Sequence, residues 1–207
     1  MMTAMVLAVA ELQIADPPDA WGDAGFTVAG AAVRVGGVTL RLVGRERGTG
    51  IVGWSLSGLP TDDPIDGIPT TAAPAPAIVA DRHVNGVTSI DHVVLFSPDL
   101  GRTVAALADV GAHPRRERDG ELGGRVIRQI FFRLGEVILE VVGAPGAADD
   151  GPSALWGVTF TVTDIDATAA FFGDRTSPIK DAVQPGRRIT TLDNRALGMS
   201  VRTAMIS

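Results

Sequence analysis

Apolar and polar positions alternate through most of this chain, and short stretches of helical spacing interrupt the alternation. The clearest block begins with the run from Ser89 to Phe96, SIDHVVLF, a β-rich segment closed by the breaker Pro98. Asp99 is placed to cap a helix, because Leu100, Val104, Leu107 and Ala108 recur at helical spacing and Gly111 supplies a stop. Arg115 to Gly120 reads as a polar strand or loop, with turns near Asp119-Gly120 and Gly123-Gly124. Strands are predicted from Arg125 to Leu134 and from Glu136 to Val142, with Gly135 at the turn between them. The order is strand, helix, strand, strand, strand.

That order recurs. Leu155 to Val162 reads as a strand, Asp164 caps a helix running through Phe171 and Phe172 to Gly173, and two or three strands follow between Ile179 and Ala204. Recurrence in a fixed order is the mark of an internal repeat. Aligning the two helix caps sets His92 against Gly157, and the same alignment sets Glu140 against Ser200. A third copy lies near the N-terminus, where VRVGGVTLRLVG from Val33 to Gly44 matches FRLGEVILEVVG from Phe132 to Gly143. A strand from Val6 to Ile14 and a helical turn around Trp21 precede it, and a strand from Gly50 to Leu56 follows. The stretch from Pro60 to Gly86 is dense in Pro, Ala and Asp and holds neither period, so it reads as a linker. The expected organisation is a degenerate module over 1–59, a linker over 60–86, and two modules, 87–145 and 153–207, forming one domain over 87–207.

Composition removes several classes of function. Apolar residues are 45% of the 207, enough for a sizeable core, and the charged 20% is dispersed rather than blocked. A formal net charge of −6 with a single lysine, Lys180, argues against a nucleic-acid surface. Without cysteine there is no disulfide framework, thiolate site or Cys nucleophile. No apolar run reaches the roughly 18 residues that span a bilayer, so no membrane partner is expected. Met1 to Ala10 lacks the basic flank of a signal peptide and reads as the start of a first strand, which makes a cytoplasmic location the expectation. Phosphate-binding, dinucleotide-binding, serine-hydrolase and zinc-protease motifs are all missing.

Strand periodicity puts His92 on one face with Ile90, Val94 and Phe96, and Glu140 on one face with Ile138 and Val142. A carboxylate among apolar neighbours needs a metal, a cation or a solvated cavity. Arg125, Gln129 and Arg133 alternate with Ile127 and Phe131; they read either as a polar strand edge or as a surface for an anionic substrate. His83 and His113 read as solvated, and Trp156 as packing against a helix.

The strand holding Ile90 to Leu95, the helix opening at Asp99-Leu100 and the strand Val137 to Val142 together resemble the βαβββ module of the vicinal-oxygen-chelate superfamily, the glyoxalase, bleomycin-resistance and dioxygenase-like proteins. The resemblance covers the region from Gly86 onward closely and the N-terminal piece loosely. It implies an α+β fold of repeated βαβββ modules, with curved mixed sheets around a cup and helices on the outer faces. It also implies a divalent metal (Zn, Ni, Mn, Fe or Co), no organic cofactor, and His92 and Glu140 as ligands. Gly157 and Ser200 depart from that pattern, since neither is a useful ligand. If the N-terminal module pairs instead, Glu11 and Arg41 take the matching positions, Glu11 as a ligand or proton-transfer base and Arg41 as a cation beside Glu140 or a substrate. The DAVQPGRR stretch, with Gln184 and Arg187, resembles a substrate-binding loop at the mouth of the cup. The leading expectation is a metal-dependent lyase or isomerase acting on a small oxygenated metabolite. Ring-opening dioxygenase chemistry is disfavoured by the single suitable His. The competing expectations are a metal-free protein that sequesters an antibiotic-type small molecule, and a degenerate module serving assembly. Unpaired strand edges suggest a homodimer.

Overall fold

The computed structural model describes residues 7–75 and 81–207; the first six residues of the expected N-terminal element and five residues of the expected linker lie outside them. The first strands are β1 (Ala8–Ile14), β2 (Ala32–Val35), β3 (Val38–Leu42), β4 (Ile51–Ser57) and β5 (Thr70–Ala73), with the short helix α1 (Pro18–Asp23) after β1. They form a five-stranded sheet in the order β2-β3-β1-β4-β5. The second set is β6 (Val87–Phe96), α2 (Leu100–Asp109), β7 (Arg116–Leu122), β8 (Arg125–Leu134) and β9 (Val137–Gly143), then β10 (Ala154–Val162), α3 (Ile165–Phe172), β11 (Lys180–Asp181), β12 (Arg188–Thr191) and β13 (Arg202–Ile206). Its eight strands run β11-β12-β13-β10-β6-β9-β8-β7 and curve into a half-barrel. The α+β expectation is met. Both long helices start at the expected caps: Asp99 accepts from the Arg102 amide at 3.0 Å, and Asp164 from the amides of Asp166 and Ala167 at 2.9 and 3.0 Å.

The two sheets share one plan. In the larger, β9 runs parallel to β6, β6 antiparallel to β10, and β10 parallel to β13. In the smaller, β3 runs parallel to β1, β1 antiparallel to β4, and β4 parallel to β5. The smaller sheet thus repeats the inner five strands of the larger, and β4 with β5 is a rudimentary fourth module. The Pro/Ala-rich stretch read as a linker supplies β5. Such a strand escapes a periodicity search: it has four residues, pairs on one side only, and is flanked by Pro69 and Pro74, which an edge strand tolerates.

Register shifts repeat with the plan. β6 bulges at Asp91 and β10 at Trp156, and in the smaller sheet β1 bulges at Ala10 and β4 at Val52. A bulge sets two residues against one and shifts the alternation beyond it by one place. Ile90 therefore belongs with Val93 and Leu95 in the core, while Asp91 and His92 both reach the concave face. This corrects the face expected for Ile90.

One apolar core joins the sheets, with Leu12, Leu40, Trp54 and Leu56 from the smaller and Leu95, Phe132, Leu139 and Phe160 from the larger. Trp21 of α1 packs on Phe26 at 4.9 Å, and Phe26 packs on Phe160 at 5.2 Å. The buried Asp16 carboxylate accepts from the Trp21 indole at 3.1 Å and the Ser200 amide at 2.8 Å, tying the end of β1 to the approach to β13. His83, expected to be solvated, is buried: its Nδ1 accepts from the Thr27 amide at 3.0 Å and its Nε2 donates to the Arg34 carbonyl at 3.1 Å. Burial outweighs that carbonyl and nearby Asp81, and holds the imidazole pKa below its ordinary 6.5. No described helix is long and apolar enough to cross a membrane.

Candidate active site

The concave face of the larger sheet encloses a cavity of about 790 Å³, a size that suits a metabolite. Its floor carries Asp91 and His92 from β6 and Ile138 and Glu140 from β9. One wall is Arg116 and Arg118 of β7 with Phe131 and Arg133 of β8. The facing wall is Val183, Gln184 and Pro185 of the β11–β12 loop, with Ile189 of β12 and Ile206 of β13. The half-barrel brings strands from the two ends of the sheet to opposite sides of one floor.

The floor is an ordered line of polar groups. Asp91 accepts from His92 Nδ1 at 2.7 Å, which puts the imidazole proton on Nδ1 and leaves Nε2 as the free nitrogen. Nε2 faces Glu140 Oε2 at 3.7 Å, and the two side chains are 20% and 12% exposed, so both are shielded yet reachable from the cup. The other Glu140 oxygen accepts from the Gln129 amide, and the Gln129 carbonyl accepts from Arg118 Nε at 2.6 Å. On the far side, Asp91 Oδ1 accepts from Arg187 at 2.5 Å, and the same Arg187 nitrogen donates to Gln184 at 2.7 Å. Burial acts to raise the Asp91 pKa, but hydrogen bonds from His92 and Arg187 and their charges outweigh it and leave it below the ordinary carboxylate value.

Several expected site residues therefore meet. His92, Glu140, Gln129, Arg133 and Gln184 line the cup, and Arg187 reaches it through Asp91. Glu11 and Arg41 do not: they lie on the smaller sheet, paired with each other at 2.8 Å. Their positions do match those of His92 and Glu140, but neither residue lines the cavity. Ser200 precedes β13 and turns its hydroxyl to the Gly50 amide at 2.8 Å. Strand register puts Arg202 where β9 has Ile138, and so Ala204 where it has Glu140. Trp156 is 42% exposed and packs at a tilt against Phe96 at 4.9 Å, with Arg202 5.7 Å from its ring, rather than packing under a helix. Asp91, Arg116 and Arg118 went unnoticed in the sequence. Asp91 is brought in by the bulge, and the β7 arginines lie in a stretch that reads in sequence only as a polar strand or loop, which curvature folds over the floor.

The donor set can be tested against a divalent metal. An Nε2–Oε2 separation of 3.7 Å is within twice the usual metal–ligand distance of about 2.0–2.2 Å. A carboxylate on the remote imidazole nitrogen is the usual support of a ligating His. The pair fits a metal held by two side chains, and among the described residues no His, Cys, Asp or Glu completes a group of three.

No protein-family model and no curated protein matches the chain. Solved structures do. A substituted 4-hydroxymandelate synthase from Streptomyces coelicolor superposes with a TM-score of 0.65 at 16% identity, over 96% of this chain and 91% of that one. Homoprotocatechuate 2,3-dioxygenase from B. fuscum gives 0.59 at 14% identity, over 98% and 71%. A fusion of a xylose isomerase-like TIM barrel with a 4-hydroxyphenylpyruvate dioxygenase gives 0.63 at 13% identity, over 96% of this chain and 48% of that one. With its repeated modules and its curved eight-stranded sheet, the chain has the fold of the vicinal-oxygen-chelate superfamily.

Proposed function

We propose that the cup is the active site of a metal-dependent enzyme in which His92 and Glu140 hold a divalent metal, for lyase or isomerase chemistry on a small oxygenated metabolite. The observation that carries this reading is the line Asp91–His92–Glu140, with the free imidazole nitrogen turned to a carboxylate at 3.7 Å inside a metabolite-sized cavity. A divalent metal there supplies Lewis-acid polarisation of substrate oxygens. Asp91 fixes the ring and its tautomer, and Gln129 fixes the Glu140 carboxylate, so neither donor must reorganise on binding. The synthase and dioxygenase names of the neighbours support catalysis in a cup of this fold. Gly157 and Ala204 offer no further ligand, which leaves ring-opening chemistry without the two-His-one-carboxylate set typical of non-haem iron.

The same two residues favour a second reading, a metal-free small-molecule trap of the same shape. Elemental analysis of protein purified without chelator separates the two. Near-stoichiometric metal that is lost in His92→Ala supports the enzyme. Metal-free wild-type protein that still binds a ligand sinks it in favour of the trap.

A further inference from the structure

The cup inverts the charge of the molecule. The chain carries a net −6, yet the cavity wall presents Arg115, Arg116, Arg118, Arg133 and Lys180 against only Asp91, Glu140 and Asp181. Among the described residues, none of those five cations has a carboxylate within ion-pairing distance. Asp91, by contrast, is already held by His92 and Arg187. The four arginines lie towards the β7–β8 side of the cup, and Lys180 lies across from them on β11. Arg116 and Arg118 pair across the β7–β8 ladder with Phe131 and Gln129, so both point into the cup, and Arg118 lies 5.6 Å over the Phe131 ring. The opposite wall carries Lys180, Asp181 and Gln184 together with an apolar patch of Val183, Pro185, Ile189 and Ile206, of which Val183 is 73% exposed. A guanidinium ridge facing an apolar patch suits a molecule with an oxyanion at one end and an apolar body at the other.

We propose that the cup's ligand is an amphipathic anion, its carboxylate or phosphate head held by Arg116, Arg118 and Arg133 and its apolar body lying against the β11–β12 loop and β13. This names the substrate class of the site proposed above and rests on the reading that the cup is a ligand site. It does not depend on a metal. A ligand spanning the two walls crosses the floor, which sets its middle over His92 and Glu140. Arg118 joins head recognition to that centre, because Gln129 bridges it to Glu140.

The test uses full-length, chelator-treated protein and three naphthalene compounds: 1-naphthaleneacetate, 1-naphthyl phosphate, and the neutral 1-naphthaleneacetamide, titrated by calorimetry. At least one anion is expected to bind about tenfold or more tighter than the amide, with affinity falling as salt rises; which anion wins assigns the head group. Arg116→Gln combined with Arg118→Gln should bring anion and amide within about threefold of each other, whereas Arg128→Gln, which removes one positive charge from the other face of β8, should preserve the preference. Val183→Ser should weaken all three compounds together. Equal binding of anion and amide by wild-type protein overturns the inference, as does the absence of binding by any of them up to about 1 mM, or an equal loss in the Arg128 variant. Anion preference retained in His92→Ala and in metal-free protein keeps this inference standing even if the metal reading fails. A metal-loaded protein that does not distinguish anion from amide refutes this inference alone.

Discussion

The two sheets hold different pairs of residues at the same two positions. Laying the β2–β3 hairpin on β8–β9, and the bulge at Ala10 on the bulge at Asp91, sets Glu11 on His92 and Arg41 on Glu140. In the smaller sheet the pair is a closed ion pair at 2.8 Å with side chains 20% and 47% exposed, so each charge is satisfied by the other and by water. In the larger it is an imidazole and a carboxylate 3.7 Å apart, each gripped from behind by another side chain. The surroundings differ in the same sense. Beyond the shared five strands the larger sheet adds β7 on one side and β12 and β11 on the other, and these make the walls. The smaller sheet has the floor without the walls. A common plan thus gives a scaffold in one copy and a cup in the other, and the difference lies in the edge strands and in what stands behind two side chains.

The comparison is broken most directly at Asp66. Where the larger sheet joins β10 to β13 through a helix and two strands, the smaller joins β4 to β5 by a short loop that reaches to the other sheet's helix. The Asp66 side chain, 3% exposed, accepts from Arg102 at 2.5 Å and from the hydroxyls of Thr103 and Ser153. Its φ of 49° lies in the left-handed region that Asn also tolerates. Asp66→Asn removes the charge while keeping backbone and shape, and should cost about 3 kcal/mol in urea unfolding near neutral pH. Burial alone would raise the Asp66 pKa; the bonds from Ser153, Thr103 and Arg102 with the Arg102 charge outweigh it and leave it below 3.8. A lowered folded pKa contributes stability that is complete above the ordinary carboxylate value and lost as pH falls through the folded one. The gap between wild type and Asn should therefore narrow in acid, and a gap independent of pH would show that the charge is not what the clasp uses.

Much of this was legible in the sequence because its causes are local. Helix caps at Asp99 and Asp164, the β2–β3 and β8–β9 hairpins turning at Gly36 and Gly135, and the His92 and Glu140 strands all carry their own patterns. What stayed hidden depends on pairing between distant strands. A bulge has no sequence signature, so strict alternation sets Asp91 on the face opposite His92, and Trp156 reads as a core residue. Counting residues from a helix cap ignored the long loops before β13, which is why Ser200 stood in for Ala204. Curvature decides that an arginine-rich edge becomes a wall, and no periodicity reports curvature.

A second pair of substitutions sharpens the equivalence of the two plans. Gly157 and Gly53 occupy matching bulge positions. A Cβ at Gly157 would lie 2.8 Å from the Arg202 carbonyl and 3.1 Å from its Cβ, and one at Gly53 would lie 3.0 Å from the Pro69 carbonyl. The neighbouring parallel strand leaves no room for a side chain at 157 and only a tight fit at 53, so no ligating residue fits at 157 unless β13 moves. Alanine should destabilise at both positions by about 1–3 kcal/mol, more at 157, as measured by denaturant midpoint. A neutral Gly157→Ala would mean that the close approach of β13 is not built into the fold.

Next comes the support behind the imidazole. Asp91→Ala should lower metal affinity about tenfold or more with the circular dichroism spectrum unchanged, because the ring loses its orienting acceptor. Arg187→Ala, which leaves the Asp91–His92 bond in place, should do less. If the two variants lose equal affinity, it is the loop anchor, rather than the tautomer, that Asp91 serves.

The smallest effect is expected at Glu11, and it is the most discriminating for the division between the sheets. Glu11→Gln breaks an exposed ion pair and should cost less than about 1 kcal/mol, shrinking further in high salt. It should leave metal content and naphthaleneacetate affinity at wild-type values, because no described side chain of the smaller sheet lines the cavity. His92→Ala should show the opposite pattern, with metal content lost. Glu11 and His92 are the same position of one repeated plan, so residue type and surroundings together separate an exposed ion pair from the proposed metal site. If Glu11→Gln stripped the metal, the two positions would be working together, and the site would have to be sought between copies of the chain rather than within one half-barrel.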